Sequence, residues 1–328
     1  MKTSKKLALT YGVMFLCFIL SLLLGRYSLS LKEILAILTG KESGMAANIF
    51  YNVRLIRSAE VLLAGMALAT AGYLYQSAFH NDLVSPDTLG VSGGASVGAI
   101  IAILSFHDGF LLRQILSFTG GILAVLLSLC LSRLIGQNKR ISLLLSGVIT
   151  GALTNSLIMA LKYLADPNTQ LAVIDYWLMG SFSLITKGKL FSTAVITIPA
   201  WILTVLLRHR FKVLLLEEEE GRTLGMNMQA LYFLCIALST LLSASVVSVS
   251  GIVSWIGLLT PHIITALFHS SFEETLCLCL PIGGAILLLS DTLARTLTSA
   301  EIPVSIITSF AGALILFVFL IRKRRKSL

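Results

Sequence analysis

Nine stretches of this chain are apolar over a length that matches the thickness of a lipid bilayer. A spanning helix needs about 20 mostly apolar residues. The runs Leu7–Leu24, Val61–Phe79, Leu89–Phe106, Gln114–Ser132, Ile141–Leu161, Leu190–Leu207, Ala230–Val249, Leu276–Ala294 and Pro303–Ile321 each supply roughly that length. A tenth, Ile252–Phe268, is shorter and carries Trp255, Pro261 and His262. It follows the seventh run across only Ser250–Gly251, which reads as a sharp turn between two helices. Spanning strands alternate apolar and polar residues and would not give such unbroken runs. The predicted fold is therefore all-α, a polytopic membrane protein with about ten transmembrane helices.

Composition removes the soluble alternatives. Of 328 residues, 56% are hydrophobic and 12% charged, against about 45–50% and about 25% in soluble domains. The net charge of +9 is read as topology rather than nucleic-acid binding, because Lys and Arg gather at cytoplasmic membrane edges. With the N-terminus inside, the inner set is Lys2, Lys5, Lys6, Arg133, Lys139, Arg140, Arg208, Arg210, Lys212, Arg222 and Arg322–Lys326. It outnumbers the outer set of Arg26, Lys32, Lys41, Arg54, Arg57, Arg113, Lys162, Lys187, Lys189 and Arg295. Both termini are expected in the cytoplasm. The first run is longer than a secretory core of about 7–15 residues, and it is read as an uncleaved helix. Cys17, Cys130, Cys235, Cys277 and Cys279 lie in apolar runs and read as small hydrophobes.

The stretches between runs are too short to fold alone, since domains below about 40 residues need staples. Residues 1–328 thus read as one transmembrane domain without a nucleotide-binding domain, and the Walker spacing is absent. The inner stretch 208–229 places an apolar patch, Val213–Leu216, before four acids, Glu217–Glu220, then Gly221, Arg222, Leu224 and Gly225. The glycines read as helix terminators, giving two short helices with a kink. Acids in a row oppose adhesion to an anionic leaflet. Docking to a cytosolic protein and a merely solvated loop both fit.

Gln76–Gly98 holds a polar inner turn around Asn81, Asp82 and Asp87, followed by Gly90, Gly93, Gly94 and Gly98. The glycines fit either tight helix packing or room for a bulky solute. Asp291 lies four residues before Arg295, on one helix face, and an ionisable residue in a span usually pairs. Gln76 and His262 are further intramembrane polar groups, and His262 reads first as a packing residue. Thr169–Phe182 forms an expected amphipathic outer helix with Tyr176 and Trp177 at the interface. No catalytic arrangement and no metal-ligand spacing is found.

Taken in order, several segments resemble one family, the FecCD permease subunits of type II ATP-binding-cassette importers, which carry ferric siderophores, haem and cobalamin. Asn52–Ala99 resembles its R-x-x-R…G-x-x-L-x-x-x-G…Q…N-P-L-x-x-P-x-x-L-G-x-x-x-G-A pattern. Leu143–Leu153 and Tyr176–Phe182 resemble its fifth helix and the segment after it. Glu217–Asn227 resembles its A-x-x-L-G loop, Gly251–Ile263 its G-x-I-x-F-V-G-L-x-x-P-H-I, and Leu289–Leu316 its closing A-D-x-x-A-R…E-L-P segment. The resemblance runs from about Val53 to Leu320. Ile56, Asp82, Trp255 and Ser305 depart from the pattern, replacing a proline, a proline, a phenylalanine and a glycine.

The resemblance implies a permease half of an importer for an iron chelate or haem, with cobalamin as the alternative cargo. It implies that Arg54, Arg57 and Arg295 meet acidic lobes of an extracytoplasmic binding protein or lipoprotein. It makes the loop with Glu217, Glu218, Glu219, Glu220, Arg222, Leu224 and Gly225 the dock for the ATPase, and sets Gln76, Asn81 and Leu83 near the inner gate. Asp291 and His262 are expected as structural intramembrane polar groups. The implied partners are a second permease chain, two cytosolic ATPase subunits carrying ATP and Mg, and membrane lipid, in a bacterial cytoplasmic membrane. No cofactor on this chain is expected. The rival from another class is an ATPase-independent secondary transporter. It needs acids along the path, and within the runs only Asp291 qualifies.

Overall fold

In the computed structural model of the chain, which describes residues 3–27, 29–105, 109–136 and 139–326, an apolar helix stands at each of the ten expected runs. They are α1 (Thr3–Leu23), α2 (Met45–Phe79), α3 (Val91–Ser105), α4 (Phe110–Ile135), α5 (Lys139–Leu164), α6 (Lys187–Leu206), α7 (Met228–Ser250), α8 (Ile256–Phe268), α9 (Phe272–Thr296) and α10 (Val304–Lys326). Seven are long and apolar enough to cross a membrane outright, while α3, α8 and α10 contribute shorter apolar stretches. No strand occurs among the described residues. Lys2 and Phe106 lie outside the described residues, as do the side chains of Lys139 and Arg322–Lys326.

Burial sorts the helices into a centre and a rim. In α2, α7 and α9, 72%, 67% and 72% of the apolar window is buried, against 22% to 33% in α1, α4, α5 and α6. The main core accordingly gathers Leu74, Tyr75, Leu242, Val246, Leu276 and Leu287, all fully or almost fully enclosed. Small residues let the central backbones touch. A Cβ on Gly72 of α2 would strike the carbonyl of Gly257 in α8, and one on Gly98 of α3 would strike the carbonyl of Leu116 in α4. The glycine cluster of α3 therefore serves close packing on α4 and α5, the first of its two sequence readings.

Three boundaries differ from the sequence reading. The helix expected from Val61 begins at Met45 and passes through a π-helical turn, Ile49–Arg54, so Glu60 sits inside it. The amphipathic outer segment is helical over Gln170–Leu178. Gly221 lies within a helix, Glu218–Thr223, and does not end it, because its missing side chain makes room for Met228 of α7. Gly225, at φ +72°, is the terminator.

Ion pairs and ring contacts fix which ends share a face. Lys6 on α1 pairs with Glu274 at the start of α9 at 2.9 Å. Lys212, in a short helical turn (Lys212–Leu215), pairs with the neighbouring Glu273 at 3.3 Å. Far along α10, Phe319 packs edge-on against His262 of α8. Both described chain ends thus lie at the same end of the bundle as the segment 208–229.

Candidate functional site: the outer charge cluster and the inner turn

At the opposite end, the three arginines and Asp291 form one charge cluster. The guanidinium of Arg57 in α2 donates to Asp291 of α9 at 2.8 Å and, through its other nitrogen, to Glu301 at 3.0 Å. Arg295 approaches the second Asp291 oxygen at 3.7 Å and donates to the hydroxyl of Ser21 in α1 at 2.8 Å and to the Ser21 carbonyl. Ser21 and Ser58 share a 2.7 Å hydrogen bond. Arg54 donates to the carbonyls of Leu22 at 2.7 Å and Leu23 at 2.9 Å, and to that of Tyr27. The Leu22 and Leu23 carbonyls belong to the last turn of α1, where carbonyls lack intrahelical partners, and a cation there also meets the negative end of the helix dipole.

Exposure is where expectation and geometry part. Arg54, Arg57 and Arg295 are 3%, 8% and 5% exposed. In this chain their charge is spent on α1, Asp291 and Glu301, and none presents a free guanidinium to a docking partner. The physical reason is local. The π turn and three converging helix ends draw the side chains inward, and a buried cation needs an acceptor. Glu301 is the most accessible member, its side chain 22% exposed, and it follows the exposed stretch 296–300. Asp291 is ion-paired, with Arg57 as a closer partner than its helix neighbour Arg295.

Sequence reading missed a second buried acid. Glu60 in α2 is fully enclosed; one oxygen accepts from the Thr193 hydroxyl at 2.8 Å and the other has no hydrogen-bond partner among the described residues. Lys189 of α6 lies close enough to act on it electrostatically, donates to the Leu184 carbonyl at 2.7 Å, and stands over the Phe110 ring. Asp291 is therefore not alone among the described residues as an acid within a span, since Glu60 lies inside α2. The early start of α2 was the missing signal: Arg54, Arg57 and Glu60 made residues 52–60 look too polar for a span.

At the other end, α2 closes on His80 in the left-handed conformation, φ 49°. Asn81 and Leu83 follow as an exposed turn, with the Asn81 side chain accepting from the Leu83 amide at 3.0 Å. Gln76 is buried and donates to the Leu258 carbonyl at 3.2 Å, and His262 bonds the same carbonyl at 2.8 Å. Tyr73, Gln76, His80, Asp82, Leu215 and His262 line one cavity of about 320 Å³. It brings together the expected gate helix, the gate turn and the segment 208–229.

That segment is anchored and exposed at once. Phe211 and Leu214 are buried in the core and Gly221 sits on Met228. Glu217, Glu219, Glu220, Arg222, Leu224 and Gly225 face outward. Glu218 and Arg222 pair at 2.6 Å along their helix. In a loop at the far end, the Asn168 amide and then the Thr169 hydroxyl bond Asp166 and hold its carboxyl below the usual range.

A bundle of ten apolar helices with buried charge at one end and an anchored, charged segment at the other is the architecture of a polytopic membrane protein. The chain belongs to the FecCD transport family, whose pattern matches residues 13–323. It is 35% identical to a probable iron chelatin transport system permease protein of Helicobacter pylori, over 96% of this chain and 98% of that one. It is 34% identical to the molybdate import system permease MolB of Haemophilus influenzae, over 94% and 92%. A solved structure described as an inward-facing conformation of the metal-chelate ABC transporter type superposes with a TM-score of 0.89 at 31% identity, covering 97% of this chain and 99% of that one.

Proposed function

We propose that this chain is the permease subunit of an ATP-binding-cassette importer for an iron chelate or haem, with cobalamin as the alternative within the same family. One observation carries the reading: family membership over almost the whole chain, with the exposed acids and Leu224 of 208–229 set on a segment whose root, Phe211 and Leu214, is buried in the bundle. A force applied to such a segment is delivered to the helices rather than absorbed by a loop. The relatives support permease work and differ in cargo. The iron chelatin relative favours an iron chelate, while the molybdate relative keeps the solute class broad.

In this reading the segment 208–229 and both termini are cytoplasmic, in a bacterial cytoplasmic membrane. Two ATPase subunits, which hold ATP and Mg, dock on Glu217–Gly225. A second permease chain, identical or paralogous, completes the path. An extracytoplasmic binding protein delivers the solute at the Arg57 end, where its acids exchange with Glu301 for Arg57, since the arginines have no unpaired face of their own. Gln76, Asn81 and Leu83 form the inner gate.

Reconstitution of the chain with its ATPase and binding protein in liposomes tests this. The expected result is ATP-dependent uptake of a ferric siderophore or haem that stops when either partner is omitted. Uptake by the permease alone, driven by a proton gradient, would overturn it.

A further inference from the structure

We propose that His80 is a positioning residue that couples the segment 208–229 to the gate turn Asn81–Leu83. The inference rests on the coupling role given to that segment above, and adds the route by which its movement reaches the gate. The His80 ring makes two contacts of fixed sense. Arg140, at the start of α5, approaches Nδ1 through its Nη1 at 2.9 Å, and Nε2 lies against the Leu214 carbonyl. A guanidinium only donates and a carbonyl only accepts. In this arrangement Nδ1 accepts from Arg140 and Nε2 donates to the Leu214 carbonyl, so both nitrogens are engaged.

The ring thus joins three elements at one point: the end of α2, the start of α5 and the segment. Its segment partner is not a surface carbonyl at a loose tip, because Leu214 is buried in the core. Of the segment's other ties, Lys212 leads to Glu273 of α9 and Gly221 to Met228 of α7, while Lys212–Leu215 also packs on α2 itself, so His80 adds a directional, hydrogen-bonded link to that packing. His80 directly precedes Asn81, and its ring faces the cavity that Gln76, Asp82 and Leu215 also line. Its backbone is left-handed, φ 49°. Glycine and asparagine accept that conformation at a helix end more readily than an imidazole does. A histidine there is explained by what its ring holds.

The same preference supplies the variant. His80→Asn suits the left-handed backbone and removes the two-sided bridge, being too short to reach both partners. Arg140→Gln keeps an N–H donor for Nδ1 and is the conservative control. The first measurement uses the permease chain alone in lipid nanodiscs. Spin labels are placed at Leu83→Cys and Leu224→Cys, both exposed, with the native cysteines replaced. The parent and Arg140→Gln should give one narrow label-to-label distance, and His80→Asn a broad one. An unchanged distribution in His80→Asn overturns the proposal.

The second measurement uses the complex with ATPase and binding protein in proteoliposomes. His80→Asn should hydrolyse ATP near the parental rate while solute moved per ATP falls about tenfold, the scale of a typical intersite coupling. Parental uptake per ATP in the variant overturns the proposal. If the parent itself neither assembles with an ATPase nor transports, the importer reading fails, while the distance measurement still decides the role of His80.

Discussion

Arg57 reaches from α2 to Asp291 on α9 at 2.8 Å, and the two charges are almost wholly enclosed. Asp291 also faces Arg295 at 3.7 Å, so one carboxylate serves two cations. Removing its charge leaves both in a low-dielectric setting with incomplete compensation. Asp291→Asn should lower the stability of the detergent-solubilised chain by about 3–5 kcal/mol, the usual effect of breaking a buried pair. A thermal unfolding midpoint equal to that of the parent would count against a structural role for the cluster.

Glu301 is the accessible partner of Arg57, and its removal has the opposite sense. Glu301→Ala leaves Arg57 still bonded to Asp291 but frees the nitrogen that Glu301 held. If a binding protein docks by exchanging its own acid for Glu301, the variant should bind that protein more tightly at low salt. The gain should shrink as salt is added, because exposed ion pairs are screened. Binding measured by surface plasmon resonance that weakens, or does not change, would argue that docking bypasses Arg57.

The positions of the ten helices were legible because each leaves an apolar run, seven of them long enough to cross a membrane outright. The charge cluster was legible only as a list of residues. Arg54, Arg57, Arg295 and Asp291 could be named from the pattern, but not their burial. Burial depends on α2 starting at Met45 and on α1 ending beside it, which no local signal records. Glu60 escaped for the same reason. His80 escaped because a histidine after an apolar run carries no mark of left-handed backbone. The segment 208–229 was half legible: Gly225 ends a helix as expected, whereas Gly221 answers to Met228, a contact across a turn.

Glu60 tests the rival driving force. A proton-coupled transporter would use an enclosed acid of this kind, and Glu60→Gln would abolish its transport. In an ATP-driven permease the amide keeps the Thr193 contact and lacks only the charge. Uptake by the reconstituted Glu60→Gln complex should stay close to that of the parent. Complete loss of uptake with intact ATP hydrolysis and folding would reopen the proton-driven reading.

Two glycines in neighbouring helices separate packing from propensity. A Cβ on Gly98 would enter the Leu116 carbonyl, which is backbone and cannot rotate away. Gly98→Ala should destabilise the chain by about 1–3 kcal/mol, as overpacking does. Gly151 of α5 has nothing within 4 Å of the added atom. Gly151→Ala should be neutral or stabilise by up to about 1 kcal/mol through helix propensity. In the same detergent the unfolding midpoint of Gly98→Ala should therefore fall, while that of Gly151→Ala stays level or rises. Equal losses would show that α3 does not rest on the α4 backbone as described.

Leu224 is 62% exposed and closes the helix Glu218–Thr223 just before Gly225 turns the chain. An apolar side chain held out beside Glu219, Glu220 and Arg222 suits a groove on a partner protein, and Leu224 is not part of the buried core of the described residues. Leu224→Asp should leave the unfolding midpoint within the small range of surface substitutions, about ±0.5 kcal/mol. It should sharply reduce co-purification of the ATPase subunits. Gly221→Val forms the contrast, since its side chain would displace Met228 and disturb the fold itself. Retention of the ATPase by a stable Leu224→Asp chain would move the dock away from this segment.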